Sequence, residues 1–203
     1  FANCSELTTL YLSNFNTTNV TDMTSMFSAC TVLAELKVPN FNTEKVTSMY
    51  GMFANSKALT SLDLSSFNTP EVTTMKGMFS GCSALTSLNI SNFNTAKVTD
   101  MYGMFFNCEA LPSLDLSHFN TENVTNTNTM FFSCDALTSL NLSSFKLEKV
   151  TDMGSMFFAC EEMKTIYCDY AWKCAESTSM FSYCSKLKGA VAYDENKVDV
   201  KMA

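Results

Sequence analysis

Residues Ser61–Leu88 read SLDLSSFNTPEVTTMKGMFSGCSALTSL. Leu62-Asp63-Leu64 alternates apolar and polar residues, as a half-buried strand requires. The same stretch then recurs along the chain. Phe1, Phe27, Phe53, Phe79, Phe105, Phe131 and Phe157 are separated by 26 residues each time, and Phe181 follows after 24. Phe15, Phe41, Phe67, Phe93, Phe119 and Phe145 form a second column, and Phe106, Phe132 and Phe158 a third. Together they account for all 17 phenylalanines. Met26, Met52, Met78, Met104, Met130, Met156 and Met180 hold another column. Met23, Met49, Met75, Met101 and Met153 hold one more, with Thr127 in its gap. The repeat is LxxLxLxxFNTxxVTxMxxMFxxCxx.

A 26-residue period containing LxxLxL falls in the leucine-rich-repeat range of about 20–29 residues. The fold class expected is an α/β solenoid, a right-handed leucine-rich-repeat coil. About seven or eight short strands, spaced about 4.8 Å apart, make one parallel sheet. On the opposite limb Val20, Met23, Phe27 and Cys30 recur at i, i+3, i+7 and i+10, which predicts one or two turns of α or 3₁₀ helix. No repeat buries its apolar face alone, so the stack is one cooperative domain. It runs over 1–187, with its last repeat shortened, and 188–203 supply a closing strand (Gly189–Tyr193) and the start of a C-terminal cap. The chain opens in mid-repeat without a polar capping unit, so it reads as a fragment of a longer protein.

Composition narrows the function. The 203 residues carry a formal charge of −7, with 16% charged and 46% hydrophobic residues. A core is available, and an acidic balance speaks against a nucleic-acid partner. No apolar run reaches 18 residues, so no membrane insertion by this fragment is expected.

The joint motif FNTxxVTxMxxMFxxC resembles the 26-residue repeat of bacterial surface proteins in the BspA-like leucine-rich-repeat family. The resemblance covers Phe1 to about Leu187, and Lys188–Met202 also looks like the segment that follows the last repeat in such chains. It implies a cell-surface or extracellular location and a role in adhesion to host, matrix or microbial partners, and it supplies no catalytic residues. The last full unit departs from the pattern at Lys146-Leu147, where Asn-Thr is usual.

Cys4, Cys30, Cys82, Cys108, Cys134, Cys160 and Cys184 share a column, with Ser56 in the gap. Their Cβ vectors run parallel, which disfavours bridging, and Cys-x₂-Cys zinc spacing is lacking. They read as a ladder of buried reduced thiols. Cys168 and Cys174 stand outside it; a disulfide between them is one reading and a free core Cys168 the other. The Asn16–Asn120 column should satisfy backbone groups at the bend and repeat the bond upward. The neighbouring threonines should cap helices. The single histidine, His118, replaces Asn or Ser in a loop column and reads as a solvated residue. No Gly-rich phosphate loop or paired nucleophile and base is present, so no enzyme and no cofactor or metal is expected.

Two surfaces are candidates for partner binding. The concave sheet face presents Tyr11, Lys37, Asp63, Asn89, Asp115, Asn141 and Tyr167. The aromatic stripe Phe106, Phe132 and Phe158, near Tyr102, should point partly away from the core, either to contact a partner or to pack on one another or on a domain outside this sequence. The sequence therefore reads as a non-enzymatic surface adhesion or recognition module binding a host or microbial protein or glycan. The competing reading is a passive stalk that displays another domain.

Overall fold

The computed structural model describes residues 1–170, Trp172 and residues 174–188. The expected closing strand over Gly189–Tyr193 and nearly all of the cap segment lie outside the described residues. Six three-residue strands follow the LxL columns: β1 (Thr9–Tyr11), β2 (Glu35–Lys37), β3 (Ser61–Asp63), β4 (Ser87–Asn89), β5 (Ser139–Asn141) and β6 (Thr165–Tyr167). They pair in parallel and in register, Leu10 with Leu36, Leu62 with Leu88, and Leu140 with Ile166.

The one continuous sheet expected from the repeat is instead three separate pairs, β1·β2, β3·β4 and β5·β6. Pro112 explains the break after β4. Ahead of β2, β4 and β6 the N–H one residue before the strand donates to the preceding coil: Ala34 to Thr8, Thr86 to Thr60 and Lys164 to Thr138, each at 2.8 Å. Proline has no N–H to give, so the ladder stops there and Ser113–Asp115 forms no strand. The break between β2 and β3 has no comparable mark in the sequence.

The larger departure is on the opposite limb. No helix occurs among the described residues. Instead a parallel ladder of single bridges runs unbroken through seven coils, Asp22–Ser48–Thr74–Asp100–Asn126–Asp152–Glu176. The N–H groups of Met23, Ser25, Phe27 and Ala29 donate to the carbonyls of Ser48, Tyr50, Met52 and Ala54 in the next coil at 2.7–3.0 Å. Those of Met26 and Ser28 close tight turns onto Met23 and Ser25. Among the described residues every one with positive φ falls into one of two columns, at Ser25, Gly51, Gly77, Gly103, Thr129, Ser155 and Ser179 and at Asn3, Ala29, Asn55, Gly81, Asn107, Ser133, Ala159 and Tyr183. Gly51, at φ 57°, takes the third position of a turn closed by Met52 N–H on the Met49 carbonyl at 3.2 Å, which is type II geometry. A left-handed residue every few positions forbids an α-helix. The i, i+3, i+7 spacing is the spacing of stacked turns.

Between the limbs the aromatic columns fill the core. Phe27, Phe53, Phe79, Phe105, Phe131, Phe157 and Phe181 stack with neighbouring centroids 5.4–5.6 Å apart and planes within 11°. The separation exceeds the coil spacing of about 4.8 Å, so the rings are offset, the arrangement their quadrupoles favour. In the last described coil Trp172 is buried and stacks on Phe157 at 6.2 Å. Leu147, which departs from the FNT motif, is buried.

Polar residues join coil to coil. Thr17, Thr43, Thr69, Thr95 and Thr121 are buried, and each hydroxyl donates to the carbonyl of residue i+25 in the next coil at 2.6–3.1 Å. They are rungs and cap no helix. The asparagines beside them act locally instead of upward: Asn42 Oδ1 accepts from the Glu44 N–H, and Asn94 Oδ1 from Ala96. In FNT, therefore, Phe packs, Asn turns the chain and Thr joins the coils.

Candidate functional site

The predicted sheet-face column is exposed along its whole length. Most of its polar groups are engaged within the chain, however. Asp63, Asn89, Asp115 and Asn141 each accept the N–H two residues on, at 3.0–3.2 Å. The Asp115 carboxyl is held below its ordinary range by the Ser117 N–H. At one end Tyr11 donates to Glu35 at 2.6 Å, and Lys37 pairs with Glu35 at 2.9 Å while lying 5.1 Å from the Tyr11 ring centre. Glu35, absent from the sequence reading, is the hub of that group. The Tyr11 bond holds its carboxyl down, with Lys37 adding to the effect. Tyr167 is exposed at the other end.

The aromatic stripe is half-buried. Phe106 stacks on Phe132 at 4.8 Å, Phe132 on Phe158 at 4.7 Å, and Tyr183 meets Phe158 edge-on at 5.0 Å. The rings cover one another.

Where the stripe column carries Ser28, Ala54 and Ser80 instead, a groove of about 380 Å³ opens along the stack. Phe106 closes one end of it. Gly51, Gly77 and Gly103 lie along its floor, and Tyr50, Lys76 and Tyr102 line its side. The Lys76 ammonium sits between the two tyrosines, 6.0 Å from the Tyr50 ring centre and 4.7 Å from that of Tyr102. Among the described residues Lys76 makes no ion pair, and the hydroxyls of Ser28, Ser80, Tyr50 and Tyr102 and the Asn55 amide make no hydrogen bond. Of these residues sequence reading singled out Tyr102 and Phe106. The missed signal was a column, Thr24, Tyr50, Lys76, Tyr102, whose bulky members occupy three successive repeats.

The cysteine ladder is reduced and, apart from half-buried Cys4, fully buried. Each thiol from Cys82 to Cys160 donates to a phenylalanine carbonyl 29 residues back, at 3.0–3.3 Å, and Ser56 does the same to Phe27 at 2.8 Å. Cys168 and Cys174 are both free; Cys168 is exposed, and the Cys174 thiol donates to the Glu176 carbonyl. His118 is less solvated than its column suggests. Its Nε2 lies 3.0 Å from the Ile90 carbonyl, the rung that Ser66 makes to Val38 and Ser144 to Leu116.

Two overlapping stretches, residues 1–111 and 82–196, match the family described as "Mycoplasma protein of unknown function, DUF285". The chain belongs to that family. No curated protein matches it. Among solved structures, it is similar to a leucine-rich cell surface protein from Faecalibacterium prausnitzii A2-165, at 19% identity and a TM-score of 0.43 over 93% of this chain and 61% of that one. It is also similar to the T. pallidum leucine-rich-repeat protein (13%, TM-score 0.44, 91% and 80%). A third is a leucine-rich-repeat protein from Bacteroides ovatus ATCC 8483 (14%, TM-score 0.29, 92% and 67%). The chain thus spans less than two thirds of the first of these. The solenoid described above rests on the chain's own ladders and ring stacks.

Proposed function

We propose that this chain is a non-enzymatic recognition module of a microbial cell-surface protein, binding a protein or glycan partner through one flank of the stack. The carrying observation is the contrast between surfaces. The Asp and Asn side chains of the sheet face and the hydroxyls of the threonine edges bond to the chain's own backbone, whereas, among the described residues, the groove gathers a lysine without a carboxylate and hydroxyls and an amide without hydrogen bonds beside two tyrosine rings. Unpaired polar groups beside exposed aromatic rings are what an interface uses. The resemblance of the repeat to BspA-like surface proteins supports the surface location, and the face ends Tyr11 and Tyr167 and the Phe106–Phe158 stripe are secondary contact candidates. The test is binding of the labelled chain to animal cells and immobilised matrix proteins. Saturable binding supports recognition; background binding to every surface supports the stalk reading instead.

A further inference from the structure

The groove selects among ligand chemistries. Its floor offers no main-chain edge, because the Gly51 N–H donates to the Lys76 carbonyl at 2.9 Å and the Gly77 N–H to that of Tyr102 at 2.8 Å. An extended peptide gains most from unpaired backbone groups and finds none at these positions. What the groove does offer is side-chain hydroxyls and an amide, at Ser28, Ser80 and Asn55, and two exposed tyrosines. Hydroxyls suit a ligand rich in hydroxyls, and a tyrosine ring packs against the C–H face of a sugar while its own hydroxyl stays wet.

Charge narrows the class further. The chain carries −7 overall, yet the cation in this groove is Lys76, which no carboxylate of the described residues neutralises. It lies nearer Tyr102 than Tyr50, so the Tyr50 face is the freer platform. A sugar carboxylate entering the groove beside Tyr50 finds Lys76 as its cationic partner, 6.0 Å from the Tyr50 ring centre. The groove crosses successive coils about 4.8 Å apart, close to the length of one pyranose unit, so consecutive sugars meet equivalent columns until Phe106 stops them.

We infer that the groove bounded by Tyr50, Lys76, Tyr102 and Phe106 binds a hexuronate-bearing glycan, with Lys76 pairing the carboxylate. The inference rests on the recognition reading above and names its ligand. The probe is a hyaluronan tetrasaccharide titrated into the chain by calorimetry. The comparison ligands are the same tetrasaccharide with its carboxylates reduced to alcohols, and a capped hexapeptide of alternating Glu and Ser.

The tetrasaccharide should bind, and carboxyl reduction should weaken it about tenfold or more, the scale of a lost charged hydrogen bond. Lys76→Gln should do the same to the acidic sugar and little to the reduced one. Ser80→Phe extends the stripe that Phe106 begins, so the fold accepts it, and it should abolish binding by filling the groove. Unchanged circular dichroism and melting temperature certify both variants. Equal affinity for the reduced sugar, tighter binding of the peptide, indifference to both variants, or no tetrasaccharide binding each overturns the inference. If the chain still binds cells when the tetrasaccharide fails, the recognition reading survives without this ligand; if both fail, both fall.

Discussion

The thiol of Cys82 donates to the backbone carbonyl of Phe53 at 3.2 Å, and that carbonyl also accepts the Ser56 N–H at 3.1 Å. One acceptor thus closes a turn within its own coil and holds a side chain from the next. The cysteine column is a column of small donors, which is why a serine can stand in it.

Cys82→Ser should therefore cost only about 1 kcal/mol at neutral pH, since the hydroxyl keeps the bond. At high pH the order should change. Burial pushes the Cys82 thiol up to about 12 from an ordinary 9.0, and raises Cys108 and Cys134 likewise. The folded chain then holds protons that the unfolded chain releases. Stability is fully present below pH 9 and falls as pH rises toward 12. Urea titrations from pH 7 to 11 should show this decline, shallower in Cys82→Ser, and thiol reagents should label the buried members of the column, Cys30 and Cys82 through Cys184, only after denaturation.

Thr127 occupies a methionine column, is fully buried, and its Oγ1 has no hydrogen-bond partner. An unsatisfied buried hydroxyl costs about 1–3 kcal/mol. Thr127→Val removes it at nearly constant volume and should raise the urea midpoint. An unchanged or lowered midpoint would show that the hydroxyl is satisfied.

Thr129 sits at φ 54° in the column that elsewhere holds Gly51, Gly77 and Gly103. A β-branched residue is strained there by roughly 1–2 kcal/mol, partly offset by the backbone entropy glycine loses on folding. Thr129→Gly should raise the melting temperature by a few degrees. Gly81→Ala should lower it, because φ is 74° and the new Cβ would approach Asn55 Oδ1 to 2.6 Å.

Asp135 carries a buried Oδ1 without a hydrogen-bond partner. Burial, then Glu161 and Glu109, hold its carboxyl above the ordinary 3.8. The folded state retains this proton longer than the unfolded one, so stability falls as pH rises from 3.8 through the folded value. Asp135→Asn should be more stable than the parent at pH 7 and lose that advantage below pH 4. A constant difference across the range would remove the electrostatic cause.

The sequence by itself determined which residues share a column. Phe27 through Phe157 stack, Leu10 pairs with Leu36, and the thiols line up buried, because a fixed period of 26 residues and a fixed coil spacing leave a side chain only its own equivalents as vertical neighbours. Tertiary structure decided the backbone conformation of the second limb. An apolar spacing of i, i+3, i+7 fits a helix and a run of stacked turns equally, and hydrogen bonds to the next coil, such as Phe27 N–H to Met52 at 2.8 Å, settle it for turns. It also decided which polar groups remain free. Asp63 and Lys76 are both charged residues in columns of the repeat, yet Asp63 is held by the Ser65 N–H at 3.0 Å and Lys76 meets two tyrosine rings and no carboxylate of the described residues. That difference depends on whether a donor or acceptor of another residue lies within about 3 Å, which the period does not encode.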